Sequence, residues 1–378
     1  MRRLRIVVAG GGRAAQLLHL PHLLTERERF EVLAIADPAP AVRAQVSARL
    51  GSEIRVVPAV EDLLELPADA LLCAAPIPFH AQVVADALAA DLHVFCEKPV
   101  AFTLEQHDDL IDARDRASRI VQVGYMKRFD PGYRRLLELL PDGSEGLVHL
   151  GIEVDDPQDA PFVSHPIERD PQILGRVREL EAEQIGADLD ETPDEDGYHA
   201  YRHGYLSSLV HDVNLVHGIL TALGHPLPLR PVDAAFWAGG RAVSLAFALD
   251  AGGRFDARHV AMPAIPSYRE RLRLLFRDRI LELSFPSPYL PCRPARLVEQ
   301  YGTGGVGLAT TVHHVSFADR VRLQWLAFHS SVADNAPVEN TLEDARLDLQ
   351  TLQAARRLAA GTSGERREPR PPVVSAAV

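Results

Sequence analysis

Among the 40 lysines and arginines of the chain, only Lys98 and Lys127 are lysine. Arginine stays protonated at any ordinary pH, whereas a lysine ammonium can be desolvated and made to exchange a proton. Lys98, in "HVFCEKPVA", is therefore a candidate for proton chemistry, set against the plainer reading of a lysine left on a surface loop. A second candidate lies in "YRHGYLSSLVHDVNLVHGIL", residues 201–220. Wound as a helix, this stretch puts Ser207, His211, Asn214 and Gly218 on one face and Leu206, Leu209, Val213, Val216 and Leu220 on an apolar side. His211 has the right chemistry for a general acid/base, although a lone histidine beside such a stripe is more often structural. His203 and His217 carry no comparable argument, and Asp212, off that face, is expected to cap or pack.

The third group is "GGGRAA", residues 10–15, in which Gly10, Gly12 and Ala15 match GxGxxG/A around Arg13. Glycine permits the tight turn and the close approach of a pyrophosphate, which rests on a helix N-terminus. The motif follows the strand "RIVVAG", opens a helix, and is answered by Asp37 at the end of "EVLAIAD", where an adenosine ribose is expected. A carboxylate there repels a 2′-phosphate, so NAD is favoured over NADP. Arg43, the nearest cation, keeps NADP open. These residues need strands to carry them. "RIVVAG" (5–10), "EVLAIAD" (31–37), "ADALLCAAP" (68–76), "LHVFCEK" (92–98) and "IVQVGY" (120–125) alternate with helical stretches, which predicts a parallel sheet wrapped on both faces. Ligands of such sheets lie beyond the carboxyl ends of the strands, where "CEKP" falls.

With "AAPIPFHAQVVADALAADLHVFCEKPVAFT", "VQVGYMKRFDPGY" and "HDVNLVHGIL" added, the chain resembles the glucose-fructose oxidoreductase, inositol dehydrogenase and rhizopine-catabolism (Gfo/Idh/MocA) family over residues 5–225. The closing "FHSSVADNAPVENTLEDARLDLQTLQAARRL" resembles that family's C-terminal pattern. The resemblance implies a Rossmann domain (1–124) and an α/β domain with a large open, mainly antiparallel sheet (125–360), while the tail (361–378), with turn residues and prolines but no periodicity, is expected to be disordered. It implies nicotinamide-dependent oxidation or reduction of a secondary alcohol or ketone of a cyclitol, sugar or sugar-containing natural product. Lys98 then matches the catalytic lysine, with a cis bond to Pro99, and His211 the proton-transferring histidine. Pro76, His80 and Glu97 join Gly10, Gly12, Arg13, Ala15, Asp37 and Lys98 as cofactor-binding positions. Tyr125, Met126 and Lys127 border the substrate, with Ser207 and Asn214 standing where inositol dehydrogenase-like members carry acids. Lys127 is read either as a substrate contact or as a solvated lysine beside Arg128. The alternatives are an NADP-dependent ketosugar reductase and a non-catalytic, dinucleotide-responsive regulator of the same fold.

Length and composition agree with a two-domain protein: 378 residues, 47% apolar and 24% charged. A net charge of −12 argues against nucleic acid as partner. Three scattered cysteines without CxxC spacing imply a reducing compartment and no structural metal. "MRRLRIVVAGGG" imitates a secretion signal, but its apolar run is too short, and a cytoplasmic protein with no membrane segment is expected. In the second half "RAVSLAFALD" alternates as a half-buried strand, and "RLRLLF", "RDR", "ILELSF" read as a hairpin. The family resemblance implies that the open face of this sheet joins subunits into a dimer or tetramer, set against the plainer reading of a solvated outer face. The acidic stretch 181–197 reads as a solvated, mobile loop.

Overall fold

A computed structural model describes residues 2–363 apart from 52, 145, 159–161, 164–165 and 190–192. The tail beyond Ser363 lies outside the described residues. The apolar runs of the first third form β1 (Leu4–Ala9), β2 (Phe30–Ala36), β3 (Arg55–Val57), β4 (Ala70–Cys73), β5 (His93–Cys96) and β6 (Val121–Val123). They pair in parallel in the order β3-β2-β1-β4-β5-β6. β3, three residues long, is too short to show a period in the sequence. Between the strands run α1 (Leu20–Thr25), α2 (Pro40–Leu50), α3 (Glu61–Leu64), α4 (His80–Ala89) and α5 (Leu104–Ala117). α5 starts where Thr103 and Gln106 close a reciprocal capping box. β1 and β4 flank the point where the strand order reverses, the place in such sheets where ligands bind.

The chain then passes through α6 (Pro131–Glu138), β7 (Leu147–Asp156), α7 (Pro171–Leu189) and α8 (Glu195–His199) into a π-helical segment, Ala200–Leu209, which runs on as α9 (Val210–Ala222). β8 (Arg230–Trp237), β9 (Ala242–Ala248), β10 (Arg254–Ala261), β11 (Arg269–Phe276), β12 (Arg279–Phe285), β13 (Arg296–Gly302) and β14 (Leu308–His313) follow, then α10 (Arg320–Asp334) and α11 (Leu342–Ser363). The strands make an eight-stranded sheet, β14-β13-β12-β11-β7-β10-β9-β8, antiparallel except between β7 and β10. β11 and β12 are the hairpin foreseen in the sequence. Alternate residues such as Leu150, Ile152, Leu245, Phe247, Leu272 and Leu274 are buried. The other face carries charge, with Arg271 on Glu153 at 2.7 Å and Arg273 on Glu282 at 3.4 Å.

The stretch read as an acidic loop is different. Residues 181–189 complete α7, with Glu181 and Ile185 buried. Glu181 tolerates burial because Arg202 reaches it at 2.8 Å and the Tyr198 hydroxyl donates to it at 3.2 Å. α10 also departs from a simple division near residue 125. It returns to the N-terminal sheet, where Trp325 stacks on Phe95 with ring centroids 4.4 Å apart. α11 packs on α5, α9 and β8, and so fastens both sheets. No helix of the described residues is long and apolar enough to cross a membrane.

Candidate active site

The glycine turn leaves β1 at Gly10, whose φ of +99° is a left-handed-side conformation; a Cβ there would lie 2.4 Å from the Ala74 carbonyl oxygen. Around Gly12, nothing among the described residues lies within 4 Å of where a Cβ would sit. Ala15 is buried at the start of a π turn, Ala15–His19. Asp37 ends β2 and accepts from the Gly11 N–H at 2.9 Å through one oxygen and from the Ala39 N–H at 2.9 Å through the other. Burial pushes its pKa up against those two bonds and the Arg43 charge. Each carboxylate oxygen keeps a lone pair for a further donor. An open backbone concavity beside an acceptor pair fits the pyrophosphate and ribose of a dinucleotide. Arg43 caps the same corner, donating to the carbonyls of Asp37 and Pro38 at 2.9 and 2.8 Å.

Pro76 is exposed at the mouth of the turn after β4. His80 is buried, with Nδ1 at 2.8 Å from the Pro99 carbonyl and Nε2 at 2.7 Å from the Ala75 carbonyl. It clamps the loops on both sides of the crevice together, a role its assignment as a cofactor contact did not anticipate. Glu97 likewise turns inward, to His19 Nε2 at 2.8 Å. The Lys98–Pro99 bond is cis.

Lys98 crosses to the C-terminal part of the chain. Its Nζ donates to the Ser207 carbonyl at 2.6 Å. Ser207 belongs to the π segment, and the change of ladder between π and α turns opens carbonyls to outside donors. One turn on, His211 is partly exposed, but its Nδ1 is sealed from solvent and has no hydrogen-bond partner among the described residues. Burial, then the charges of Lys98, Lys127 and Arg320, hold its pKa well below the ordinary histidine value. Tyr125 meets the His211 ring edge-on at 6.0 Å.

The remaining expectations divide. Met126 is buried in the core beneath α10, so it supports the site from behind and does not line it. Lys127 is no solvated lysine: its Nζ lies 2.7 Å from both Asp212 Oδ1 and Glu270 Oε1, all three buried. Burial lowers its pKa, but the two carboxylates outweigh that and raise it. Asp212 is pushed up by burial against Lys127. Asn214 gives its amide to Asp348 at 2.8 Å and is buried, so it ties α9 to α11 instead of facing a substrate. His217 does the same through Asp348 at 2.7 Å. The Ser207 hydroxyl is engaged by Arg202, donating to its carbonyl at 3.0 Å and accepting from its guanidinium at 2.5 Å.

Glu270 was legible: in "RERLRLLF" it shares parity with Leu272, Leu274 and Phe276, a charge on the buried side of the strand. Asp348, Arg202, His19 and Trp325 gave no such signal, because their partners are distant in sequence.

Residues 4–125 match the family model described as "Oxidoreductase family, NAD-binding Rossmann fold", Gfo/Idh/MocA. The chain is 32% identical over 171 residues to inositol 2-dehydrogenase 3 of Saccharopolyspora erythraea, covering 45% of this chain and 46% of that protein. It thus spans about half the length of the curated relatives it matches. Among solved structures, UDP-N-acetylglucosamine 3-dehydrogenase GnnA from Acidithiobacillus ferrooxidans superposes with a TM-score of 0.69 at 20% identity, covering 96% of this chain and 99% of that one. A putative NADPH-dependent oxidoreductase from Desulfitobacterium hafniense superposes with a TM-score of 0.74 at 12% identity, covering 96% and 97%. Both show a shared fold across the two sheets. Over residues 4–125, the chain therefore matches the NAD-binding Rossmann domain of the Gfo/Idh/MocA oxidoreductase family.

Proposed function

We propose that this protein is an NAD-dependent oxidoreductase acting on a secondary alcohol, or the matching ketone, of a cyclitol, sugar or sugar-containing natural product. The observation that carries the reading is the Lys98 ammonium, fixed at the carboxyl end of β5 and bonded at 2.6 Å to the helix that bears His211. The name of the Saccharopolyspora relative and that of GnnA support a cyclitol or sugar as substrate class. A bound nicotinamide would supply the hydride acceptor or donor. The chain supplies proton handling. Lys98 polarises the substrate oxygen, and His211, unprotonated because burial and nearby cations disfavour the imidazolium, takes the hydroxyl proton on Nε2, the nitrogen not sealed in the core. Tyr125 holds the imidazole edge-on, and Lys127 contributes positive field from behind. The protein acts in the cytoplasm, as a dimer or tetramer joined through the charged face of the C-terminal sheet.

The test is a panel of polyols, cyclitols and glycosides with NAD and with NADP, following appearance of the reduced cofactor. One panel member should turn over, and NAD should bind at least about tenfold tighter than NADP, about 1.4 kcal/mol, because Asp37 repels a 2′-phosphate. Lys98→Ala and His211→Ala should each keep NADH affinity while turnover falls by about 10² or more. Lys98→Arg should be poor as well. No turnover of any substrate with either cofactor overturns the enzyme reading.

A further inference from the structure

We propose that His19 is a positioning residue for Lys98: it fixes the Glu97 carboxylate, which holds the Lys98 backbone, and is itself fixed by Trp325 from the C-terminal part of the chain. The proposal rests on the role given to Lys98 above and adds three residues to it. His19 is fully buried at the end of the π turn that follows the glycine motif. Trp325 Nε1 lies 3.1 Å from His19 Nδ1. An indole N–H can only donate, so Nδ1 accepts and the ring proton sits on Nε2. Nε2 then donates to Glu97 Oε1 at 2.8 Å, and Glu97 Oε2 accepts the Lys98 backbone N–H at 3.2 Å.

Each link is confined. His19 packs edge-on against Phe95 and Trp325, at 5.4 and 5.8 Å, and so cannot rotate away from either partner. Behind the carboxylate, a Cβ at Gly124 would come within 3.1 Å of Glu97 Oε1, so the absence of a side chain there admits the carboxylate. Burial pushes Glu97 up, yet the His19 hydrogen bond, the Lys98 charge and the Lys98 backbone N–H hold it below the usual carboxylate range and keep it an acceptor. Downstream, the Pro99 carbonyl is held by His80 at 2.8 Å. Lys98 is thereby bracketed, with the His19 arm on one side and the His80 clamp on the other. The His19 arm begins on α10, so the reach of Lys98 toward Ser207 depends on an element more than 220 residues away in sequence.

The chain has just two lysines, which makes Lys98 directly readable. Limited acylation of the full-length protein without cofactor by acetic anhydride, followed by peptide mass spectrometry, gives the labelling rates of Lys98 and of Lys127, the latter an internal control. His19→Leu and Trp325→Phe should change the Lys98 rate several-fold and leave Lys127 unchanged, while His19→Gln, which retains a side-chain N–H, should restore most of it. Phe328→Leu, which loosens the same aromatic cluster without touching a hydrogen bond, should lower the melting temperature and leave Lys98 labelling unchanged. On a substrate of the panel, His19→Leu and Trp325→Phe should lower kcat by about tenfold or more, with KM and NADH affinity little changed, as expected of a displaced catalytic group. Wild-type Lys98 labelling in both variants, or an equal change in Phe328→Leu, overturns the proposal. Altered labelling in a protein that turns nothing over supports the His19 arm and removes the enzyme reading. Turnover with unaltered labelling does the reverse.

Discussion

The two lysines meet opposite demands. Lys98 reaches from a loop to a backbone carbonyl, whereas Lys127 is enclosed by two carboxylates at 2.7 Å each. A compact ammonium fits between two such oxygens where a planar guanidinium would need more room. Lys127→Met should therefore cost about 3–5 kcal/mol in urea unfolding, because Asp212 and Glu270 would be left buried and facing each other. Under the proposed function, His211 sets the pH dependence. Burial, Lys98 and Lys127 lower its folded pKa, so the unprotonated base persists below about pH 6.5, the ordinary histidine value. kcat/KM for oxidation should rise with pH through an apparent value under about 6.5 and be flat above it. If Lys98 couples to this titration, the limb belongs to the pair. From the sequence, an acid at Ser207 would raise that limb by about one unit. With Arg202 on the Ser207 hydroxyl, Ser207→Asp should form an ion pair first and move the limb by less than about one unit. A pH profile of both proteins checks this, and a limb above 6.5 in the wild type contradicts the placement of His211.

At the scale of elements, α9 and the π segment before it do most of the positioning. The apolar side foreseen from spacing is buried, but so is much of the opposite side: Asp212, Asn214, Leu215, His217 and Ile219. A helix buried all round needs small residues where neighbours come close. Gly218 is one, since a Cβ there would lie 2.2 Å from the Tyr133 hydroxyl oxygen. Gly218→Ala gains about 1 kcal/mol of helix propensity but overpacks at a cost of about 1–3 kcal/mol. The net effect should be a lower denaturant midpoint with an unchanged m-value, read by circular dichroism in urea. An unchanged midpoint would mean that α6 and α9 are not in contact at that point. α7 shows the converse case, a charged helix that packs because Arg202 neutralises Glu181 at 2.8 Å.

At the scale of the molecule, the candidate site lies where the N-terminal crevice and the π segment meet, and α10 and α11 hold them in register. α10 does so through Trp325 on Phe95, α11 through its packing on α5, α9 and β8. The outer face of the large sheet carries alternating charges, Arg258 on Asp155 at 3.3 Å and His149 on Asp256 at 2.8 Å among them. Subunits joined through such a face meet by complementary charge, which salt screens within about 8 Å at physiological ionic strength. Light scattering should report a dimer or tetramer at low salt and weaker association near 1 M salt. A monomer at micromolar concentration in low salt rejects the association.

What the sequence by itself determined were the features that act over short stretches of chain. Strand and helix alternation, the Gly10–Ala15 turn, Asp37 at the end of β2 and Lys98 beyond β5 depend on residues near in sequence, so periodicity and turn chemistry suffice to read them. His211 was legible as a residue on a helix, since an apolar stripe marks the buried side. Everything that required knowing what faces a side chain was decided by the tertiary structure. Lys127 could be solvated or substrate-facing until Asp212 and Glu270 were found around it, and Asn214 could face a substrate until Asp348 took its amide. Glu181 looked solvated because its neutralising arginine, Arg202, lies on another element. His19 and Trp325 are 306 positions apart, and no local pattern joins them. Hydrogen bonds and ion pairs between distant residues leave no period in a sequence, so the geometry around Lys98 and His211 emerged only in the folded chain.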